Sequence, residues 1–259
     1  MVDPDSLATL PFWHKLTPAL WHQLTRLGEA QLLLPALLLA AVWLARSPGG
    51  GRLAALWLAT TAAAALLTTA TKVAFIGYGI GYAPLDFTGI SGHAMFAAAV
   101  LPPLWLLAGN AGGADGAGGR GHRRGLLLAG YTLAGAVAVS RVMVGAHSWS
   151  EVLAGAALGV LCSGVALATT RMPAVRLASW VPVGLVAWGL LAVAFAPPST
   201  THDLVTRLAL AQSGRAQPYH RWEMQREYRR RQPGVDRLRP PAAGLAPGRG
   251  AGAGSLQPR

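Results

Sequence analysis

Apolar residues are concentrated in six long runs, which short polar or glycine-rich segments separate. The runs are Ala30–Ala45, Leu53–Ile76, His93–Ala108, Leu126–Val144, Val152–Thr170 and Trp180–Ala196. A helix needs roughly 20 residues to cross a bilayer, and several runs reach this length, whereas the first and the third need flanking residues to do so. The pattern predicts an all-α protein, a polytopic transmembrane helix bundle of six spans within residues 29–196.

The composition agrees with a membrane protein. Hydrophobic residues make up 53% of the 259 residues and charged residues only 12%, which is far more apolar than an average soluble protein. The single cysteine, Cys162, lies within an apolar run. Neither a disulfide framework nor a thiolate metal site is therefore predicted.

The two ends of the chain differ from its apolar middle. Residues 1–28 have no basic segment that leads into an apolar core, so no cleavable signal peptide is predicted. Their aromatic, histidine and basic residues alternate with leucines, which is typical of an amphipathic segment in the membrane interface. Residues 197–259 carry eleven Lys or Arg and four acidic residues. They are predicted to form a basic, largely disordered tail that is attracted to anionic headgroups, and nucleic-acid binding is not expected.

The placement of basic residues predicts the orientation of the bundle. Seven arginines lie in the three alternate loops that join spans one and two, three and four, and five and six: Arg46, Arg52, Arg120, Arg123, Arg124, Arg171 and Arg176. The other two loops, Gly77–Ile90 and Val142–Ser150, contain no Lys or Arg. By the positive-inside rule these two loops are extracytoplasmic. Six spans would also leave the basic tail outside, which is unusual for so many positive charges.

The stretch from Ser140 to Glu151 places an arginine, a histidine and a carboxylate where one apolar run ends and the next begins. If a helix begins near Ser148, His147 and Glu151 lie four residues apart on one face. The carboxylate can then hold one imidazole N–H and leave the other ring nitrogen free to react, while Arg141 offers a fork of donors to an anion. An alternative is that Ser148 and Glu151 form a capping box, in which Glu151 only marks the start of the helix.

A second group of polar residues begins the third run, on the same predicted face. Ser91, Gly92 and His93 open that run, and Lys72 lies near the end of the second. Cationic donors and a helix N-terminus bind anions, and a glycine permits close backbone approach. Two histidines can divide nucleophilic attack from protonation of a leaving group. Together the residues indicate a phosphate site, although Lys72 could instead extend to the interface from a helix end.

These clusters resemble the motifs of the type 2 phosphatidic acid phosphatase family. The motifs are, in chain order, Lys-x6-Arg-Pro, Pro-Ser-Gly-His and Ser-Arg-x5-His-x3-Asp. Residues matching the third motif are Ser140, Arg141, His147 and Glu151, and those matching the second are Ser91, Gly92 and His93. The resemblance covers the chain from about Lys72 to Gly159.

The chain departs from the family pattern in each motif. Glu151 stands in place of the Asp, and Ile90 stands in place of the Pro before Ser91. The first motif keeps Lys72, but Gly79 and Ile80 occupy the positions of its Arg and Pro. No Lys or Arg lies between Val73 and Ile90 to replace that Arg. One expected phosphate ligand is therefore missing, which affects the expected rate and substrate range.

The resemblance implies an integral membrane enzyme of the bacterial type, a hydrolase of phosphoric monoesters or diphosphates whose substrate is a lipid phosphate or pyrophosphate. It implies His147 as the nucleophile that forms a phosphohistidine, Glu151 as the group that orients it, and His93 as the general acid. It implies Lys72, Ser91, Gly92 and Arg141 as the phosphate-binding residues. It implies neither a metal ion nor another cofactor. Together with the orientation predicted by the positive-inside rule, it places the protein in the bacterial plasma membrane with the site on the extracytoplasmic face.

A second hypothesis stays open. The chain could be a catalytically impaired relative that binds or transports a lipid phosphate, because the Arg of the first motif is absent at Gly79. Release of inorganic phosphate by the purified protein would distinguish the two hypotheses. The sequence leaves the lipid chain and the oligomeric state open.

Overall fold

The computed structural model describes residues 12–109, 120–169 and 200–232, together with the single positions 184, 187, 189 and 191. Helices dominate these residues and no β-strand occurs among them. The helices are α1 Phe12–Arg26, α2 Ala30–Arg46, α3 Gly51–Tyr78, α4 Gly92–Gly109, α5 Arg120–Met143, α6 Trp149–Thr169, α7 Thr201–Ser213 and α8 Arg221–Arg230, and a short 3-10 turn covers Ala83–Leu85. The predicted all-α fold is confirmed.

Five segments of the described chain are long and apolar enough to cross a membrane. They are Pro18–Arg46, which joins the second half of α1 to α2, and the helices α3, α4, α5 and α6. This agrees with the predicted bundle of membrane-spanning helices. The predicted sixth span, Trp180–Ala196, lies outside the described residues apart from four single positions. The predicted interfacial location of residues 1–28 stays a prediction, although Leu24 and Leu27 pack on α4 and α5.

Helix α4 is the centre of the bundle, because α5 and α6 pack along its length. Four of its alanines, Ala94, Ala97, Ala98 and Ala99, are buried, and the indole of Trp57 on α3 donates a hydrogen bond to the carbonyl of Ala99 at 2.8 Å. Two glycines of α6 allow the closest approach: a Cβ added to Gly155 would lie 2.4 Å from the carbonyl oxygen of Ser91, and one added to Gly159 would lie 2.3 Å from that of Met95. Small residues of this kind permit tight helix packing in lipid. The first turns of α4 and α6 are thereby held side by side.

Two helices, α7 and α8, lie within residues 197–259, so the prediction of a largely disordered tail does not hold for Thr201–Ser213 and Arg221–Arg230. Helices α7 and α8 pack on the last turns of α3 through a cluster of Val73, Phe75, Ile76, Val205, Ala209, Tyr219 and Met224. Val205 and Ala209 are four residues apart, so they lie on one face of α7 and are buried together. Residues from 233 onward, where the sequence also predicts disorder, lie outside the described residues.

Candidate active site

Four helix ends surround a cavity of about 580 Å³ at one end of the bundle. The C-terminal ends of α3 and α5 and the N-terminal ends of α4 and α6 meet there. Five of the seven predicted site residues line the cavity: Lys72, Gly92, His93, Arg141 and His147. The other two, Ser91 and Glu151, are both 0% exposed. The side chain of Glu151 contacts the His147 ring, and the backbone N–H of Ser91 donates to the backbone carbonyl of Glu151 at 3.1 Å.

The loop between α5 and α6 presents His147 to the cavity. It folds back on the end of α5, where the backbone N–H groups of Ala146 and His147 donate to the carbonyl of Arg141 at 3.0 and 3.2 Å. Gly145 makes this turn in the left-handed region, with a φ of 69°, where a side chain would be strained. The imidazole Nδ1 of His147 then lies 2.7 Å from Oε2 of Glu151. In this hydrogen bond the Nδ1–H group donates to the carboxylate, so Nε2 is the unprotonated ring nitrogen.

The pKa of His147 is set by its surroundings. Burial lowers the pKa below the ordinary histidine value of 6.5 and outweighs the hydrogen bond to Glu151, which raises it. The positive charges of Lys72 and Arg141 also lower this pKa. The imidazole is therefore neutral at pH 7, which is the form that can act as a nucleophile.

Glu151 receives more hydrogen bonds than helix capping requires. Its Oε2 accepts the backbone N–H of Ser148 at 3.1 Å, which is the contact expected of a capping carboxylate. Its Oε1 accepts the backbone N–H of Thr88 at 2.7 Å and also the Thr88 hydroxyl. Both carboxylate oxygens lie 2.8 Å from Nη2 of Arg221. The carboxylate therefore makes both contacts that the sequence left as alternatives, one to the helix start and one to His147.

Other residues at the cavity carry polar groups that suit an anion. Among the described residues Lys72 has no carboxylate partner for an ion pair. Arg141 donates from Nη1 to the hydroxyl of Thr25 at 2.8 Å. Its Nε and the hydroxyl of Ser91 are buried and have no hydrogen-bond partner within the described part of the chain. Buried donors without partners are rare, so these atoms are suited to a ligand that accepts hydrogen bonds. Gly92 begins α4, and a helix N-terminus favours an anion.

Arg221 and Thr88 were missed by reasoning from the sequence. Arg221 comes from α8, more than 60 residues beyond the third motif, and lines the same cavity. The departure from the family pattern at Gly79 indicates that a cation is missing, but it does not indicate where another could come from. Burial alone would lower the pKa of the Arg221 guanidinium, but the carboxylates of Glu151 and Asp86 outweigh it and raise that pKa. The guanidinium is charged at every physiological pH.

The described residues contain no group of three or more His, Cys, Asp or Glu side chains that could hold a metal ion. The charged side chains at the cavity are Lys72, Arg141, Arg221 and Glu29, and the buried Glu151 lies next to it.

Comparison with known proteins identifies the family. The chain matches the PAP2 superfamily over residues 16–173, which include every predicted site residue. It is also similar to a Klebsiella pneumoniae protein described as an uncharacterized 22.5 kDa protein in cps region, with 30% identity over 212 residues that cover 80% of this chain and 98% of the relative. No solved structure shows a significant match. The chain therefore belongs to the PAP2 superfamily, a family of phosphatases that act on phosphate esters.

Proposed function

We propose that the protein hydrolyses a lipid phosphate or pyrophosphate through a phosphohistidine intermediate, without a metal ion. The observation that carries this proposal is the 2.7 Å contact between His147 and the buried carboxylate of Glu151, on the wall of a cavity that Lys72 and Arg141 also line. A neutral, oriented imidazole beside two cations fits attack on a phosphoryl group. The cations neutralise the charge of the transferred phosphoryl oxygens.

In the first step, Nε2 of His147 attacks phosphorus while the bond from phosphorus to the leaving oxygen breaks. His93 donates a proton to that oxygen, so the alcohol or phosphate leaves in neutralised form. The imidazole becomes cationic as the new P–N bond forms. Glu151 stabilises this charge from the Nδ1 side of the ring, at the 2.7 Å contact.

In the second step, water attacks the phosphohistidine. His93 has lost its proton in the first step and now accepts one from the water, since the same group acts as acid and then as base. The P–N bond breaks, inorganic phosphate leaves, and His147 returns to its neutral form. Lys72, Arg141, the hydroxyl of Ser91 and the N–H of Gly92 hold the phosphoryl oxygens throughout.

Two observations support a lipid as the substrate. The cavity lies at the end of helices that are able to cross a membrane, where a headgroup can enter from the bilayer surface. Its wall also includes the apolar side chains of Phe75, Ile76 and Phe96 next to the cationic groups. A site of this composition suits a molecule that has a phosphate at one end and an apolar chain at the other.

The test is release of inorganic phosphate by the purified full-length protein in detergent, with a chelator present. The substrates are a phosphatidate, an isoprenoid pyrophosphate and a water-soluble phosphate ester. We expect release from one or both lipids. Binding of the lipids without any release would favour the alternative of a catalytically impaired binding or transport protein. Release from the water-soluble ester alone would contradict the lipid assignment.

The acid role of His93 gives a prediction that depends on the leaving group. We expect His93→Ala to slow hydrolysis about 10²- to 10⁴-fold for an alkyl phosphate, whose leaving alcohol needs a proton. The loss should be much smaller for an aryl phosphate with an acidic phenol, which leaves without protonation. Steady-state rates on the two ester types measure the difference. Equal losses on both esters would remove His93 from the acid role.

We also propose that the site faces the extracytoplasmic side of a bacterial plasma membrane. The support is the absence of Lys and Arg from Gly77–Ile90 and Val142–Ser150 and their presence in the alternate loops. Because α7 packs on the last turns of α3, the C-terminal helices lie at the same end of the bundle as the site and should face the same side of the membrane.

Labelling of single cysteines with a membrane-impermeant reagent tests this orientation in a Cys162→Ala background. In intact cells we expect labelling of Leu85→Cys, in the loop before α4, and of Ala211→Cys, on α7, because both positions are exposed at the end of the bundle that holds the site. Gly118→Cys, between α4 and α5, should react only after permeabilisation. Labelling of Gly118→Cys but of neither other variant would place the site in the cytoplasm.

A further inference from the structure

The side chain of Arg221 makes a dense set of contacts at the rim of the cavity. Its Nη2 lies 2.8 Å from both carboxylate oxygens of Glu151 and 3.2 Å from the Thr88 hydroxyl. Its Nη1 donates to the backbone carbonyl of Asp86 at 3.0 Å and pairs with the Asp86 carboxylate. Glu151 is 0% exposed, so the guanidinium is a counter-charge for a carboxylate that water does not reach.

The segment that carries Arg221 is held in place on both sides of this residue. Before it, the backbone N–H of Tyr219 donates to the carbonyl of Ile76 at 2.9 Å, and the Tyr219 ring packs edge-to-face on Phe75 at 5.4 Å. After it, the side-chain amide of Gln225 donates to the carbonyl of Ala83 at 3.1 Å and to the Asp86 carboxylate at 2.8 Å. The position of the guanidinium is therefore fixed by the fold.

The C-terminal segment lies against the position where the first motif departs from the family pattern. Gly79 ends α3 with a φ of 71°, in the left-handed region. A Cβ at this position would lie 3.5 Å from the ring of Tyr219. Arg221 follows Tyr219 by two residues, so the segment that covers Gly79 also brings a guanidinium to the site.

We infer that Arg221 is a positioning residue of this phosphatase site, and the inference rests on the proposed function. Its fork of donors fixes the Glu151 carboxylate in the rotamer in which Oε2 meets Nδ1 of His147. Its charge also balances that of Glu151. Glu151 can therefore orient the ring without raising the pKa of His147 so far that the imidazole is already cationic before the substrate binds.

The charged groups around His147 determine the sign of the expected pH effect. The charged groups are Lys72 on α3, Arg141 on α5, Glu151 on α6, Arg221 on α8 and Glu29 just before α2, and the titratable imidazoles that line the cavity with His147 are His93 on α4, His202 on α7 and His220 just before α8. Glu151 is the carboxylate that contacts His147 and favours the imidazolium, whereas the cations Lys72, Arg141 and Arg221 disfavour it. Removal of the Arg221 charge leaves the carboxylate less neutralised, so the pKa of His147 should rise. As the pH is lowered, the imidazole of His147 is then protonated, and stops acting as a nucleophile, at a higher pH than in the wild type.

The experiment compares Arg221→Gln, Arg221→Lys and Arg226→Gln. Arg226 is a matched control because it is an exposed arginine on the same helix. We expect Arg221→Gln to lower kcat about 100-fold with a much smaller change in KM, since the nucleophile is misplaced while the phosphate-binding groups remain. The acidic limb of its profile of kcat/KM against pH should move to higher pH. Arg221→Lys should return the limb to its wild-type position and recover part of kcat, and Arg226→Gln should match the wild type.

The outcomes separate this inference from the proposed function. Phosphate release that disappears in His147→Ala but is unchanged in Arg221→Gln would overturn the positioning role and leave the proposed function intact. An Arg221→Gln protein that melts at a lower temperature, yet keeps kcat and the acidic limb per folded molecule, would show a structural role only and also overturn the inference. No release by the wild-type protein from any of the three substrates would refute the proposed function and the inference together.

Discussion

Phosphate release should fall by about 10⁴-fold or more, to background, when His147 is replaced by alanine. His147 lines the cavity, and because its Nδ1 is occupied by Glu151 at 2.7 Å, its Nε2 is unprotonated. No other group in the proposed mechanism forms a bond to phosphorus in the first step. The protein should still fold and enter the membrane, because the residue lies in a loop between α5 and α6 and not in the packed core.

A matched histidine variant makes this result specific. His22 is exposed on α1, and His22→Ala should release phosphate at the wild-type rate. A second readout follows the intermediate itself: a phosphoryl label on histidine is labile in acid and stable in base. Denaturation of the protein during turnover should trap such a label in the wild type and not in His147→Ala. Appreciable turnover by His147→Ala, or a label that persists in it, would refute the phosphohistidine mechanism.

The transmembrane part of the fold could be predicted from the sequence because its cause is local. A run of apolar residues of sufficient length is a helix in lipid whatever its neighbours are, since the backbone has no other way to satisfy its hydrogen bonds. The predicted span Leu53–Ile76 thus lies within α3, Gly51–Tyr78, and His93–Ala108 lies within α4, Gly92–Gly109. The structure extends each span at both ends by residues whose side chains are less apolar.

The pairing of His147 with Glu151 could also be predicted, because residues four apart on a helix face each other across one turn. The convergence of Lys72 and Arg141 on the same cavity followed from topology, since successive spans return every second loop to the same side. These arguments use only spacing along the chain and the direction of each span. They say nothing about segments whose position depends on a distant partner.

Arg221 lies in a segment whose position depends on distant partners. Helix α8 is short and highly charged, so its sequence resembles a disordered basic tail, and Met224 is the buried residue that it contributes to the core. Its position is fixed by Tyr219, which packs on Phe75 more than 140 residues earlier, and by Asp86. The few apolar residues of the C-terminal segment form a packing surface only because the last turns of α3 pack against them. No pattern within the tail could reveal this.

The second large effect is expected for Glu151→Gln, which should lower kcat by about 100-fold or more. A glutamine has one acceptor oxygen in place of two and carries no charge. It can still accept the N–H of Ser148, but it cannot stabilise the imidazolium that forms as His147 attacks, and its amide group would direct hydrogen atoms at Arg221. Glu151→Asp keeps the charge and restores the residue of the family motif, so it should remain active.

Ser148→Ala provides the control that separates catalysis from helix capping. The Ser148 hydroxyl accepts the backbone N–H of Glu151 at 3.5 Å, so its removal weakens the start of α6 without removing the carboxylate. We expect this variant to lose up to about 1 kcal/mol of stability and to keep its specific activity. Thermal unfolding in detergent and kcat are measured for all three variants. If Glu151→Gln behaved like Ser148→Ala, with a lower melting temperature and an unchanged kcat, the carboxylate would mark only the start of a helix. A large loss of kcat confined to Glu151→Gln would instead assign the carboxylate to the orientation and charge stabilisation of His147.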